Sequence, residues 1–119
     1  MIGKHLVYPF HFTGTLAANV TITFALPIDC VLKHISAVAS NNSDATLIVG
    51  DSGDTDEVLA SATIGDSGVP VTKTVSNWAS TNETGRYRAG DVFVATLDYD
   101  GAAGTAAANV TLVFTFLEG

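Results

Sequence analysis

Charged side chains are scarce in this sequence of 119 residues, at 14% of the chain, where soluble domains usually have about 25%. Hydrophobic residues make up 47%. Despite a net charge of −7, this composition excludes a disordered acidic segment, because the chain has enough apolar side chains to form a core. The length suits one compact domain and is short for two. We therefore expect residues 1–119 to form a single domain.

Basic residues are rarer than acidic ones. Five lysine and arginine residues stand against twelve acidic residues, and only Arg86 and Arg88 lie close together in the sequence. Binding to a phosphate backbone requires clustered positive charge, which this sequence lacks. We therefore expect no nucleic-acid partner.

Cysteine and long apolar runs are nearly absent as well. Cys30 has no second cysteine with which to form a disulfide or a metal-thiolate pair, so it is expected to be a small buried side chain. No apolar run approaches the roughly 18 residues that a membrane span needs. The first residues also lack the apolar core of a signal peptide. The sequence thus predicts synthesis in the cytoplasm and no membrane partner.

Four sequences match the acceptor for N-glycosylation. They begin at Asn19, Asn41, Asn82 and Asn109. Because no secretory signal accompanies them, they are expected to be ordinary strand and loop sequence that happens to match.

The strongest positive signal is the alternation of apolar and polar residues. Large apolar side chains occupy every second position in residues 6–12, 20–26 and 110–116, which is the period of a strand with one buried face. Further strands are expected at 31–40, 45–50, 57–63, 69–75 and 91–99. About eight strands separated by turns predict an all-β fold, a single antiparallel β-sandwich of the jelly-roll type. Pro9 cannot donate a ladder hydrogen bond, so the first strand is expected to lie at a sheet edge or to break there.

The longest segment without either period is 75–90, which holds the only tryptophan and both arginines. Long loops in small domains often carry function, and aromatic residues and arginine are enriched at protein interfaces. We therefore predict a protein contact here, made by Trp78, Arg86, Tyr87 and Arg88. The alternative is that Trp78 covers one end of the core and that the arginines pair with Asp91 or Glu83.

Two Gly-Asp-Ser-Gly sequences, at 50–53 and 65–68, invite comparison with the nucleophile loop of chymotrypsin-like proteases. That family needs two packed barrels, which exceed this length, and it has glycine where Val69 follows the second copy. Glycine, aspartate and serine are also the residues that tight turns require. We interpret both sequences as turns, and no feature of the sequence predicts an enzyme or a cofactor.

A group of carboxylates follows the first of these turns: Asp51, Asp54, Asp56 and Glu57. Calcium binds several such oxygens from flexible loops, although the spacing here differs from that of an EF-hand. The main interpretation is a solvated turn whose charge discourages edge pairing. A calcium site is the alternative.

The three histidines, His5, His11 and His34, are expected on different strands. His11 alternates with Phe10 and Phe12 and so falls on the face opposite to them. We predict a surface or interface role for it.

Taken in chain order, several segments resemble small virion proteins of tailed bacteriophages, those of the capsid-decoration type. The resemblance begins with the aromatic first strand and continues through residues 26–38, 47–56, 89–92, 97–107 and 110–114. It covers most of the chain, in strand and turn sequences. It implies a β-sandwich or jelly roll that is made in the host cytoplasm and located on the outer surface of the capsid. Such proteins are commonly homotrimers that clamp neighbouring subunits of the major capsid protein, and no catalytic residues carry over from them.

The low charge agrees with a surface that packs against other proteins. The contacts are expected from the 76–90 loop, from the N-terminal segment Lys4 to Tyr8 and from exposed threonine faces. Two alternatives remain. One is a lectin-like module that binds carbohydrate through Trp78, Tyr87 and the acidic loop, and the other is a tail or neck component of the same virion.

Overall fold

A computed structural model of the chain describes residues 3–79 and 85–119. The nine strands in these residues are β1 (His5–Thr15), β2 (Val20–Ala25), β3 (Cys30–Val38), β4 (Thr46–Asp51), β5 (Leu59–Thr63), β6 (Val71–Thr74), β7 (Arg86–Tyr87), β8 (Val92–Asp98) and β9 (Ala108–Glu118). All eight predicted strands are present. The additional strand, β7, lies in the segment that was expected to be irregular, which also contains a 3₁₀ turn at Val75–Asn77. The described ranges hold no helix with the length and apolar character that crossing a membrane requires.

The strands form two antiparallel sheets that pack face to face. The five-stranded sheet has the order β1-β9-β3-β6, with β7 also paired to β3, and the four-stranded sheet has the order β2-β8-β4-β5. With β7 set aside, the first half of the chain pairs with the second half in reverse order: β1 with β9, β2 with β8, β3 with β6 and β4 with β5. An antiparallel ribbon rolled over two sheets in this way is a jelly roll. The predicted fold class is confirmed.

The core between the sheets consists of the alternating apolar residues. Val110, Leu112, Phe114 and Phe116 are fully buried along β9. From the opposite sheet, the ring of Phe93 lies 4.9 Å from that of Phe114, measured between centroids. Burial of such large rings supplies much of the free energy of folding, because apolar area is removed from water.

Pro9 lies on an edge strand, as predicted. It is opposite Val113 of β9, and β1 is the terminal strand of its sheet. The missing N–H of proline therefore costs no ladder hydrogen bond on the open side of β1.

Candidate functional site

The N-terminal segment and the predicted interface segment lie at the same end of the sandwich. On β3, Val31 lies opposite Arg86 of β7 on one side and Leu117 of β9 on the other. Leu117 in turn lies opposite His5 of β1. One row of residues thus crosses the sheet from β1 to β7. We call residues 3–5, 26–30, 85–91 and 117–119 the β7 end.

Lys4 and Arg86 are distant in sequence, but both are tied to the last residues of the chain. The backbone N–H of Glu118 donates to the carbonyl oxygen of Lys4 at 2.8 Å, and the backbone N–H of Lys4 donates to Oε1 of Glu118 at 3.2 Å. Nη1 of Arg86 donates to the carbonyl oxygen of Gly119 at 3.2 Å. Lys4 and Arg86 are exposed. The fold therefore places two residues that were predicted from separate segments at the same end of the sandwich.

Arg88, also exposed, belongs to a tight turn at the same end. Its backbone N–H donates to Oδ2 of Asp91 at 2.9 Å, and the N–H of Asp91 donates back to the carbonyl oxygen of Arg88 at 2.9 Å. Oδ1 of Asp29 accepts a 2.8 Å hydrogen bond from the N–H of Ala89. The two carboxylates thus hold backbone in place. Glu83, the other expected partner of the arginines, lies outside the described residues.

The aromatic side chains of the predicted contact point inward. Trp78 is 5% exposed and Tyr87 is 3% exposed. Nε1 of Trp78 donates to the carbonyl oxygen of Leu32 at 3.2 Å, and burial raises the pKa of Tyr87, with a further rise from the charges of Asp51 and Glu57. Both rings cover the core, which was the alternative interpretation for Trp78. They offer no exposed aromatic platform to a carbohydrate, and direct contact of either ring with a partner stays a prediction.

Gly85, which the sequence reasoning missed, positions Trp78 beside β7. Its φ of +84° is in the left-handed region that favours glycine. An added Cβ would lie 3.0 Å from Nε1 of Trp78, and the carbonyl oxygen of Gly85 accepts a 2.7 Å hydrogen bond from the N–H of Leu32. The only signal in the sequence was the glycine itself, within the irregular segment 75–90.

Tyr8 is half-buried beneath the edge strand β1. Its ring lies 4.5 Å from the ring of Phe24 and 5.7 Å from that of Phe116, and burial raises the pKa of its phenol. The neighbouring side chain, Val7, points the other way and is 56% exposed. In the isolated chain Tyr8 therefore packs on the core, and its contact with a partner stays a prediction.

The segment that carries Asp51, Asp54, Asp56 and Glu57, at the end of β4, forms a turn. Oδ1 of Asp51 accepts 2.9 Å hydrogen bonds from the N–H groups of Gly53 and Asp54. A hydrogen bond with Asp56 raises the pKa of Asp54, and partial burial and the charge of Asp51 raise the pKa of Glu57. Among the side chains that the structure describes, no three or more His, Cys, Asp or Glu residues are grouped so that they could hold a metal ion. The geometry is that of a self-supporting turn.

Three of the four glycosylation-like asparagines hold loops together. Oδ1 of Asn19 accepts from the N–H of Tyr99 at 3.1 Å, and Oδ1 of Asn109 accepts from the N–H of Gly14 at 2.7 Å. The side-chain amide of Asn41 both donates to the carbonyl oxygen of Ala106 and accepts from the N–H of Ala108. Asn82 lies outside the described residues.

The three histidines all point outward from the five-stranded sheet. His5 and His11 are both on β1, so the expectation of three different strands is wrong: β1 begins one residue earlier than predicted. His34 is on β3, opposite Thr115 of β9, and Thr115 alternates with the buried rings of Phe114 and Phe116.

No carboxylate lies inside any of the described strands. Asp51, Asp98 and Glu118 are each the last residue of a strand, and the other described acidic residues are in connections. On the four-stranded sheet, the side chains that point outward from β2, such as Thr23, carry no charge. Those that point outward from β8 are uncharged as far as Thr96. The part of the chain that the structure covers contains no pocket. Broad strand faces, rather than a cleft, are the available binding surfaces.

Comparison with known proteins identifies the fold. No protein-family model matches the sequence, and no curated protein does. A chain in the capsid of Ralstonia phage GP4 superimposes with a TM-score of 0.60 at 19% identity, covering 100% of this chain and 87% of that one. A chain of the cyanophage Pam1 capsid asymmetric unit gives 0.49 at 20% identity, covering 99% and 87%, and the Yersinia pseudotuberculosis-derived mitogen gives 0.41 at 15%, covering 99% and 88%. The match to the Ralstonia phage GP4 capsid chain shows that this fold occurs in a phage capsid.

Proposed function

We propose that the chain is a structural, non-enzymatic protein of a bacteriophage virion, and that it decorates the outer surface of the capsid. The fold shared with a chain of the Ralstonia phage GP4 capsid, over 100% of this chain, carries the proposal. In this proposal the chain is one domain, is made in the host cytoplasm and binds the major capsid protein.

The surface chemistry supports this function. Interface centres in proteins are depleted of charged residues, and in this chain the described strands carry their carboxylates only at their last residues. Threonine and valine on the outer sheet faces can pack against a neighbour without the cost of desolvating a charge.

The β7 end supports a second contact, between copies of the chain in a homotrimer. Lys4, Arg86 and Arg88 are exposed there, while Trp78 and Tyr87 hold the framework beneath them. Each contact is small, but many copies that bridge capsid subunits together raise the free energy needed to open the shell.

The experiment is to produce the chain together with the major capsid protein of the same genome and to sediment the shells. We expect the chain to co-sediment at a fixed stoichiometry and to have the mass of a trimer in light scattering. A chain that stays in the supernatant would overturn the proposal. Gold-labelled antibody on virions distinguishes the head from the tail and neck, and labelling confined to the tail or neck would overturn the capsid-surface location.

A further inference from the structure

The outward residues of the five-stranded sheet form a surface with an unusual distribution of charge for this chain. We call these residues of β1, β9, β3, β6 and β7 the basic face. It carries all three histidines of the sequence and two of its five lysine and arginine residues, namely His5, His11, His34, Lys33 and Arg86. No described carboxylate points from it, although the chain has twelve acidic residues and a net charge of −7.

Strand pairing fixes the arrangement of these basic side chains. His5 and Arg86 stand at the two ends of the row that runs through Leu117 and Val31. In β3 the register shifts between Leu32 and His34, so that an additional residue, Lys33, is accommodated in a bulge and is exposed. The bulge thereby places the side chains of Lys33 and His34 next to each other on β3, an interior strand of the sheet.

Apolar side chains lie between His5 and His11 on β1 and continue onto β9. Val7 is 56% exposed, one of three large hydrophobic side chains that are exposed among the described residues. Beside it, Pro9 lies opposite Val113 of β9. Exposed apolar side chains next to polar and charged groups are typical of protein interfaces.

The size of the basic face also fits a protein partner. The strands β1, β9, β3 and β6 have 11, 11, 9 and 4 residues. With about 3.3 Å per residue and about 4.8 Å between strands, they cover roughly 550 Å² in projection. A stable protein interface buries roughly 800 Å² on each partner. A partner that presents carboxylates would complement this face, because Lys33 and Arg86 are positively charged and no described carboxylate points from it.

We infer that the basic face is the surface by which the chain docks onto the major capsid protein, and that the major capsid protein presents a carboxylate-bearing surface there. This inference rests on the proposed function and deepens it by naming the docking face and the chemistry of the partner. The outer face of the four-stranded sheet has uncharged positions on β2 and on β8 as far as Thr96, so it does not select a charged partner. In this inference it stays exposed on the shell.

The test is a footprint of shells that carry the bound chain. Diethyl pyrocarbonate modifies accessible imidazoles, and all three imidazoles of the chain are on the basic face. We expect His11 and His34, which lie outside the β7 end, to be modified in the free chain and protected at least fivefold when the chain is bound to empty shells, as read by peptide mass spectrometry. Bound chain in which these two imidazoles remain fully reactive would overturn the inference while leaving the proposed function intact. Failure of the chain to bind shells at all would instead refute the proposed function.

Two matched variants test the charge. His11→Glu and Thr23→Glu each introduce one carboxylate at an exposed position of an edge strand, on β1 and β2 respectively. We expect His11→Glu to weaken shell binding at least tenfold and Thr23→Glu to change it less than twofold, with melting temperatures confirming that both variants fold. Wild-type binding should also weaken as salt rises, because salt screens exposed charges. Equal effects of the two variants on shell binding would contradict the inference. Retention of the wild-type chain on immobilised duplex DNA, with loss of that retention in His11→Glu, would also contradict it and would assign the face to nucleic acid.

Discussion

The hydroxyl group of Tyr87 donates a 2.8 Å hydrogen bond to the backbone carbonyl oxygen of Gly50. Tyr87 is on β7 of the five-stranded sheet and Gly50 is on β4 of the four-stranded sheet, so this bond joins the two layers of the sandwich. The ring of Tyr87 lies 5.8 Å from the rings of both Phe93 and Phe116. Tyr87 therefore closes the core beneath the exposed arginines of the β7 end.

Removal of that hydroxyl group should destabilise the chain without disturbing the ring. We expect Tyr87→Phe to lower the free energy of unfolding by about 1–3 kcal/mol, because the buried carbonyl group of Gly50 loses its hydrogen bond. Urea denaturation measures the change. Tyr99→Phe, at a half-buried position in a connection, is the control and should cost less than about 0.5 kcal/mol. An equal loss of unfolding free energy in the two variants would show that the inter-sheet hydrogen bond of Tyr87 does not stabilise the fold more than the hydroxyl group of Tyr99 does.

Alkaline pH should destabilise the fold through the same residue. Burial raises the pKa of Tyr87 above its ordinary value, so the folded chain keeps a proton that the unfolded chain loses near pH 10. The folded state then binds more protons than the unfolded state, and stability falls as the pH rises above about 10. Urea midpoints between pH 8 and pH 11 should fall more steeply for the wild type than for Tyr87→Phe. Parallel curves would contradict the assignment.

Core packing predicts a large penalty at Phe114. This ring is fully buried, and its deletion in Phe114→Ala should cost about 3–5 kcal/mol. Thr115→Ala, at the next residue of β9 and on the outward side of the sheet, should change stability by less than about 1 kcal/mol. Thermal unfolding of the two variants measures both effects. A melting temperature unaffected by Phe114→Ala would mean that the inward and outward faces of β9 are reversed.

The ionised carboxylates at the end of β4 should repel each other at neutral pH and so lower the stability of the fold. Partial burial and the charge of Asp51 raise the pKa of Glu57, so the fold disfavours the charged form of its side chain. We expect Glu57→Gln to raise the melting temperature slightly at pH 7. The advantage should vanish below about pH 4, where glutamate is protonated in both states. An equal gain at both pH values would point to packing rather than charge.

Calcium should leave the stability of the chain unchanged. Asp51 already accepts two backbone hydrogen bonds through Oδ1, and the turn holds its shape without a cation. Melting temperatures should therefore agree within error with added Ca²⁺ and after EDTA. A shift of several degrees would favour the alternative interpretation, in which these carboxylates bind calcium.

Strand positions were predictable from the sequence because alternation along one segment reports directly on one buried face. The same local reasoning assigned Pro9 to an edge and His11 to the outward side of β1. It failed for β7, since two residues have no period and pair only because β3 lies beside them. It could not decide the role of Trp78 and Tyr87, because large aromatic residues are typical both of cores and of interfaces, and only burial distinguishes them.

By itself, the sequence determined the class of the fold, the positions of eight strands and the scarcity of charge, since all three follow from residue types and their local order. Only the tertiary structure decided which distant residues share a surface. The rolled pairing of the first half of the chain with the second puts His34 on the same face as His5 and His11, and it places Lys4 and Arg86 at the same end of the sandwich. Strand order and register control these neighbours, and they depend on packing across the whole sandwich rather than on any one segment.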